Sequence, residues 1–349
     1  MNIIHTRHSG GFTVLRFNKS KTTKVTFTVL SVCMAAVLAT ACGSNKDAAS
    51  TATPAASASP AASAAATATP APAVDKVVKD SMGHDVKVPA NPKAVIASYL
   101  EDPLLALGVK PIVQWSVKGT TVQDYLQTQL AGIPTIGYEL PVESVLKASP
   151  DFMIVGSESA VEKGLYDQYS KVVPTFVLGS DVTADFRKTL LKMGELLNKT
   201  DAANAALKKY DQQVTDTKAK LASTVGDKKV AILWLTNKAF YVVNGKVASG
   251  AVVYGDLGLK MPNILSVLPD APANWAAISL EKLAQLDADY IFLVNSDKGQ
   301  AGNLEDPLWK NIPAVKSGKV FEMDTKSSWL YNGVIAGERV MDDIVKVIK

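Results

Sequence analysis

The sequence predicts an α/β protein of two lobes with mainly parallel sheets, joined by one long helical spine. Two observations predict it. The stretch from Asp181 to Val225 carries two consecutive helical patterns. Phe186, Leu190, Met193 and Leu197 share one face; after a break at Asn198-Lys199, Thr200 is placed to cap a second helix with the stripe Ala203, Leu207, Tyr210, Val214 and Leu221. A helix of ~22 residues spans ~33 Å, the width of a small domain. An ordinary surface helix pair would show the same stripes, but the flanks of this one resemble each other. Val142 to Val155 and Leu280 to Val294 each hold a Glu (Glu143, Glu281), a short amphipathic turn and an Asp eight residues after the Glu (Asp151, Asp289). An apolar run follows in each, reading as a buried parallel strand. Two such units on either side of a long helix suggest two similar lobes.

The chain opens with Arg7, Arg16, Lys19, Lys21 and Lys24 and no acid before Cys42. An apolar segment from Val25 to Leu38 and the small-residue zone before Cys42-Gly43 complete the pattern of a secretory signal, too short for a spanning helix. A Cys at that point resembles a bacterial lipoprotein signal, in which the Cys becomes the lipidated first residue. The third position before the Cys is Ala39 where a large aliphatic is usual. An ordinary secreted protein is the alternative. Of the two cysteines, Cys33 would leave with the signal, so the mature chain has no disulfide. Removing five positive charges from the formal +4 leaves a mature chain near −1. The basic balance belongs to the signal and gives no argument for nucleic acid.

Residues 44–73 are almost wholly Ala, Ser, Thr and Pro, with Pro54, Pro60, Pro70 and Pro72 interrupting any helix. This reads as a flexible tether. The expected organisation is therefore a signal over 1–41, a lipidated Cys and tether over 42–74, a first lobe over 75–180, the spine over 181–226 and a second lobe over 227–349. Val77 to Val88 reads as a hairpin turning at Gly83. Lys93 to Ser98 is the first buried strand, Asp102 to Leu107 a helix ended by Gly108, Lys110 to Trp115 a strand and Thr121 to Leu130 a helix. Beyond the spine, Lys229 to Leu235 opens the second lobe with a strand. Ala251 to Leu257, Leu280 to Leu286, Tyr290 to Val294 and Val320 to Met323 continue the alternation. A closing helix begins near Asn332 with the stripe Val334, Met341, Ile344, Val345 and Ile348. Ligands in such sheets sit beyond the C-terminal strand ends.

The mature chain holds one histidine, His84, in the predicted hairpin. No Gly-x-Ser-x-Gly elbow, Walker motif or Gly-x-Gly-x-x-Gly occurs. A zinc or manganese site normally takes several His or Cys, so no protein metal site and no cofactor are expected. Aromatic residues at strand ends stand out instead: Tyr99, Trp115 and Tyr138 in the first half, and Trp234, Tyr241, Trp275, Trp329 and Tyr331 in the second. For any single one of them the core reading is the plainer, most of all for Trp234, because it lies in an apolar strand; Trp329 and Trp115 are the strongest candidates, because polar residues surround them. With Lys118, Lys238, Lys246, Lys298 and Lys326 nearby, such a cleft suits an organic ligand with anionic groups.

From Asp80 onward the chain resembles the iron(III)-siderophore substrate-binding lipoproteins of ABC importers. The resemblance is carried by Asp80-Ser81-Met82-Gly83-His84 with Val88 to Pro92, by Leu104 to Pro111, and by Val142-Glu143 through Ser149-Pro150-Asp151. Gly258 to Pro262, Trp275 through Glu281 and Pro307-Leu308-Trp309 complete it. It implies two Rossmann-like lobes, a ferric siderophore held between them, and delivery to an ABC permease dimer by a monomer anchored on the outer face of the cytoplasmic membrane. The strand-end reading offers Tyr99, Trp115, Tyr138 and Tyr241 as ligand contacts, with Lys246 to supply charge; by position the resemblance implies contacts from Trp275, Trp329 and Tyr331, and permease docking through Glu143 and Glu281. A helix-start carboxylate favoured by the dipole is the plainer reading of either Glu. Ferrichrome-binding relatives often carry a Trp and an Arg where this chain has Gly245 to Ser249, so hydroxamate specificity does not follow from the resemblance. The only mature arginines, Arg187 and Arg339, lie in predicted helices. A corrinoid or haem carrier is the alternative within the class, with Tyr99, Tyr138 and Met323 as candidate haem ligands. A lipid-anchored hydrolase is the alternative outside it.

Overall fold

A computed structural model describes residues 74–243, 245–266, 275–298 and 304–348. The expected signal, Cys42 and the tether as far as Ala73 lie outside the described residues. All described residues fall in one compact unit, Ala68–Lys349.

Strands β1 (Lys76–Lys79) and β2 (Asp85–Val88) form the antiparallel hairpin, with Gly83 in the left-handed region at its turn (φ 89°). The first lobe has two small parallel sheets. One has the order β3 (Val95–Ile96), β6 (Phe152–Val155), β7 (Thr175–Val177); the other pairs β4 (Gln114–Ser116) with β5 (Thr135–Gly137). These strands are shorter than their apolar runs suggest. The N–H groups of Lys93 and Ala94 bond to the Asp151 carboxylate rather than to a ladder. Pro111 has no N–H to give before β4. Over Thr121 to Leu130 only a 3₁₀ turn, Asp124–Leu126, and one helical turn, Gln127–Leu130, form.

The spine is two helices, Phe186–Leu196 and Thr200–Leu221. Asp185 caps the first by accepting from the N–H groups of Arg187 and Lys188. Thr200 does not cap the second. The first helix closes with Asn198 left-handed (φ 54°) and Lys199 N–H bonded back to the Gly194 carbonyl at 2.7 Å, a Schellman closure. Lys199 is then also the N-cap of the next helix, its carbonyl accepting from Ala203, so the second helix starts one residue earlier than expected.

The second lobe holds a five-stranded sheet of order β10-β9-β8-β11-β12: β8 (Val230–Thr236), β9 (Ala239–Val243), β10 (Trp275–Ile278), β11 (Tyr290–Asn295) and β12 (Val320–Met323). β11 runs parallel to β8 and β12, while β9 is antiparallel to β8 and β10. The expectation of mainly parallel pairing thus fails at two outer strands of this sheet. Asn237 and Lys238 both take positive φ (50° and 60°), the geometry of a tight hairpin turn, and the Asp297 carboxylate accepts both their N–H groups. Ala251–Asp256 is a π-helical turn. One apolar core runs from Phe152 and Phe176 through Leu190, Met193 and Tyr210 of the spine to Ile232, Phe292 and Met341.

The closing helix, Val334–Val347, packs on the long spine helix and on the short helix Glu101–Ala106 of the first lobe. Asp102 holds its first turn. The buried carboxylate accepts from Ile335 N at 3.1 Å, Ala336 N at 2.8 Å and the Tyr125 hydroxyl at 3.0 Å. Gly333 just before the helix (φ 152°) lies so near this carboxylate that a Cβ there would overlap it.

Candidate functional site: an aromatic cleft at the strand ends

The residues following β3, β5 and β6, with Trp115 of β4, line a cleft of about 550 Å³. Ser98 and Tyr99 enter it after β3, Tyr138 after β5, and Gly156 and Ser157 after β6. Ser180, Thr183, Phe186 and Thr189 close it from the spine side, and Val247, Asn332, Gly333 and Val334 from the second half of the chain. This is the strand-end position expected for a parallel sheet.

Tyr99 is the pivot. Its backbone is left-handed (φ 64°), an uncommon state for a bulky residue that concentrates at ligand sites. Its ring lies 5.0 Å from Trp115 and 6.2 Å from Tyr331, which in turn packs 5.1 Å from Tyr125. Tyr99 and Tyr138 are 42% and 55% exposed, large apolar faces presented to solvent at a cleft. Serine and threonine hydroxyls interleave them, so the lining combines π-faces with neutral hydrogen-bonding groups.

Two carboxylates stand behind the walls. Glu101 is buried, and its Oε1 accepts the Trp115 N–H at 2.6 Å while Oε2 has no hydrogen-bond partner. Burial pushes its pKa up to about 7, against the opposing pull of the backbone N–H groups. Burial likewise raises Asp102 to about 6, opposed by Ala336, Ile335 and Tyr125.

The expected contact residues divide into four groups. Tyr99, Trp115 and Tyr138 line the cleft, and Tyr331 touches Tyr99 from its edge. Tyr241 and Trp275 lie within β9 and β10 and form a separate cluster with Trp234, 5.5 and 4.8 Å from its ring. Neither lines the cleft. Lys246 is exposed beside the lining residue Val247 without itself lining the cleft. Trp329 is a correction. It is 0% exposed, stacked 4.6 Å from Phe292, with its indole N–H donating to Asp343 at 2.9 Å. Its hydrogen bond comes from the closing helix inside the core, not from the polar residues that precede it in the sequence. Met323, a candidate haem ligand, is also a core residue.

Sequence reasoning missed Gly156-Ser157, Ser180, Thr183, Asn332 and the pair Glu101-Asp102. The strand-end rule applied to β6 would have found Gly156-Ser157. Nothing local marks Glu101 or Asp102, whose partners come from β4 and the closing helix. Glu143 and Glu281 are both exposed, each in the first turn of a short helix, Val142–Ala148 and Leu280–Leu283. His84 stacks 3.9 Å from Tyr166 and pairs with Asp80, away from the cleft lining. Among the described residues, no three His, Cys, Asp or Glu side chains are grouped to hold a metal ion. No described helix is long and apolar enough to cross a membrane.

The sequence profile of the family described as periplasmic binding protein matches residues 96–326. The chain belongs to the periplasmic binding protein family. Among its relatives, the Bacillus subtilis protein named probable siderophore-binding lipoprotein YfiY is 30% identical over 294 residues, covering 77% of this chain and 86% of the relative. The iron(3+)-hydroxamate-binding protein FhuD of Bacillus subtilis is 30% identical over 246 residues, covering 69% and 76%. A crystal structure of a FhuD fold-family periplasmic binding protein component of a ferrichrome ABC transporter from Bacillus subtilis superposes with a TM-score of 0.66 at 26% identity, covering 78% of this chain and 99% of that one. The periplasmic binding protein fold of two α/β lobes and a helical spine is therefore that of this chain.

Proposed function

We propose that this periplasmic binding protein is the substrate-binding component of an ABC importer, capturing a ferric siderophore in the aromatic cleft and handing it to a permease dimer. The observation that carries the reading is the cleft of about 550 Å³ at the strand ends, walled by Tyr99, Trp115 and Tyr138, in a chain whose relatives are named siderophore- and iron(3+)-hydroxamate-binding proteins. The volume lies within the range of small-molecule sites. Aromatic faces and hydroxyls suit a chelate whose own oxygens fill the iron coordination shell, so that iron enters as cargo. The protein is a carrier and turns nothing over.

The signal pattern ending at Cys42 supports a lipid anchor on the outer face of the cytoplasmic membrane, from which one monomer works on its tether. Cys42→Ala should move the protein from the membrane fraction to the medium; a variant still membrane-bound would refute the anchor. Exposed Glu143 and Glu281 are the docking carboxylates of this reading.

Titrating the intrinsic tryptophan fluorescence with a panel of ferric siderophores tests the function directly. Saturable quenching at submicromolar concentration supports it. A haem or corrinoid carrier, for which Tyr99 and Tyr138 would offer cleft phenols, would instead acquire the absorbance of its pigment and ignore the chelates.

A further inference from the structure

Among the described residues, the lining of the cleft carries no formal charge. Its residues are aromatic, aliphatic, hydroxyl-bearing or amide, with no Lys, Arg or His among them. Of the five lysines that could have entered it, Lys118, Lys238, Lys298 and Lys326 line no part of it, and Lys246 stops one residue short at Val247. Arg187 is engaged elsewhere, paired with Asp211 at 2.7 Å and Asp256 at 3.0 Å. The titratable groups that stand next to the lining are both acids. Glu101 lies directly behind Trp115, holding its backbone N–H, and Asp102 lies directly behind Gly333. Both are buried, so solvent screens them little.

These features bear on the net charge of the bound chelate. Three singly charged hydroxamates cancel the charge of ferric iron, and a pendant amine makes the complex cationic. Three doubly charged catecholates leave a trianion, and citrate complexes are also anionic. Moving a multiply charged anion out of water is costly unless cations meet it. Here it would meet π-faces, whose quadrupoles favour cations, and carboxylates behind them.

Resting on the siderophore reading of the cleft, we propose that this site selects ferric chelates of zero or positive net charge, the trishydroxamate class, and disfavours tris-catecholate and citrate complexes. The uncharged lining sets the preference, and Glu101 and Asp102 reinforce it. Selectivity is here a difference between two binding free energies, with the buried carboxylates as the repulsive element.

The experiment is a fluorescence titration of the full mature protein at about pH 8, where both carboxylates are ionised, and moderate salt. The probes are ferrichrome (neutral), ferrioxamine B (cationic), a ferric tris-catecholate (trianionic) and ferric citrate. The first two should bind at least about 100-fold more tightly than the last two. Ser157→Lys, which puts a cation into the lining, should narrow that gap by about tenfold or more. Glu101→Gln, which keeps an acceptor for the Trp115 N–H, should narrow it in the same direction. Equal affinities, or tighter binding of the catecholate or citrate complex, would overturn the selectivity and leave the siderophore reading standing. Should none of the four bind while haem or a corrinoid does, the siderophore reading falls and this inference with it.

Discussion

Asp151 and Asp289 occupy equivalent places in the two lobes. Each precedes a central strand, β6 or β11, and each reaches across to the start of the neighbouring parallel strand. Asp151 accepts from Lys93 N and Ala94 N at 2.6 and 2.9 Å; Asp289 accepts from Lys229 N at 2.7 Å. Their own N–H groups return the bond to the carbonyls of Ala94 and Lys229. The spacing from Glu143 and Glu281 therefore marks a repeated structural unit, in which the Asp sets the register of a strand pair. Asp151→Ala and Asp289→Ala should each lower stability by about 0.5–1.5 kcal/mol by removing hydrogen bonds that solvent only partly replaces. Chemical denaturation measures this. Siderophore affinity should stay within about twofold of the parent; a variant that kept its stability but lost its ligand would reverse the assignment.

Trp115 and Trp329 should separate binding from folding. Trp115→Ala removes a cleft wall and is expected to weaken ligand binding by about 1–3 kcal/mol. Trp329→Ala empties a core site against Phe292 and is expected to lower stability by about 3–5 kcal/mol. Paired thermal melts and titrations distinguish them. If Trp329→Ala folds as well as the parent and binds poorly, its placement in the core is wrong.

Glu101 and Asp102 give stability an unusual pH dependence. Burial raises the first from the usual 4.5 to about 7 and the second from 3.8 to about 6. Within those windows the folded chain keeps protons that the unfolded chain has released. Their contribution to stability is fully present below about pH 4 and lost as the pH climbs through about 7. The melting midpoint should fall between about pH 5 and about pH 8, and Glu101→Gln should flatten that fall. A parent and a variant with identical pH profiles would contradict it.

The exposed carboxylates Glu143 and Glu281 should matter only when the permease is present. Charges on a docking face steer association and set register. Reversing both to Arg should leave folding and siderophore affinity unchanged while cellular uptake drops about tenfold or more. Normal uptake would make them helix-start carboxylates and nothing else.

The spine and the repeated unit were legible because both are local. The stripe from Phe186 to Leu221 and the Glu-to-Asp spacing are written in consecutive residues, and helical periodicity records them directly. The first hairpin was legible through Gly83. The antiparallel β9 and β10 were not, because their pairing depends on Asp297 gripping a turn some sixty residues away. The cleft was half legible. Aromatic residues at strand ends pointed to Tyr99, Trp115 and Tyr138, but the same signal pointed to Trp329, whose indole is held in the core by Asp343 of the closing helix. Glu101 was illegible, since nothing in a short helix Glu101–Ala106 tells that the first carboxylate faces inward.

The reach of Asp102 has a consequence for the order in which the chain folds. Its backbone partners, Ile335 and Ala336, follow it by 233 and 234 residues. On a chain synthesised from its N-terminal end, the first lobe emerges long before the helix that satisfies its buried carboxylate. Until then Asp102 stays hydrated or protonated, since an ionised carboxylate without partners is costly to bury. One wall of the cleft, which includes Gly333 and Val334, is likewise missing. The cleft is thus complete only once the closing helix has packed against the first lobe.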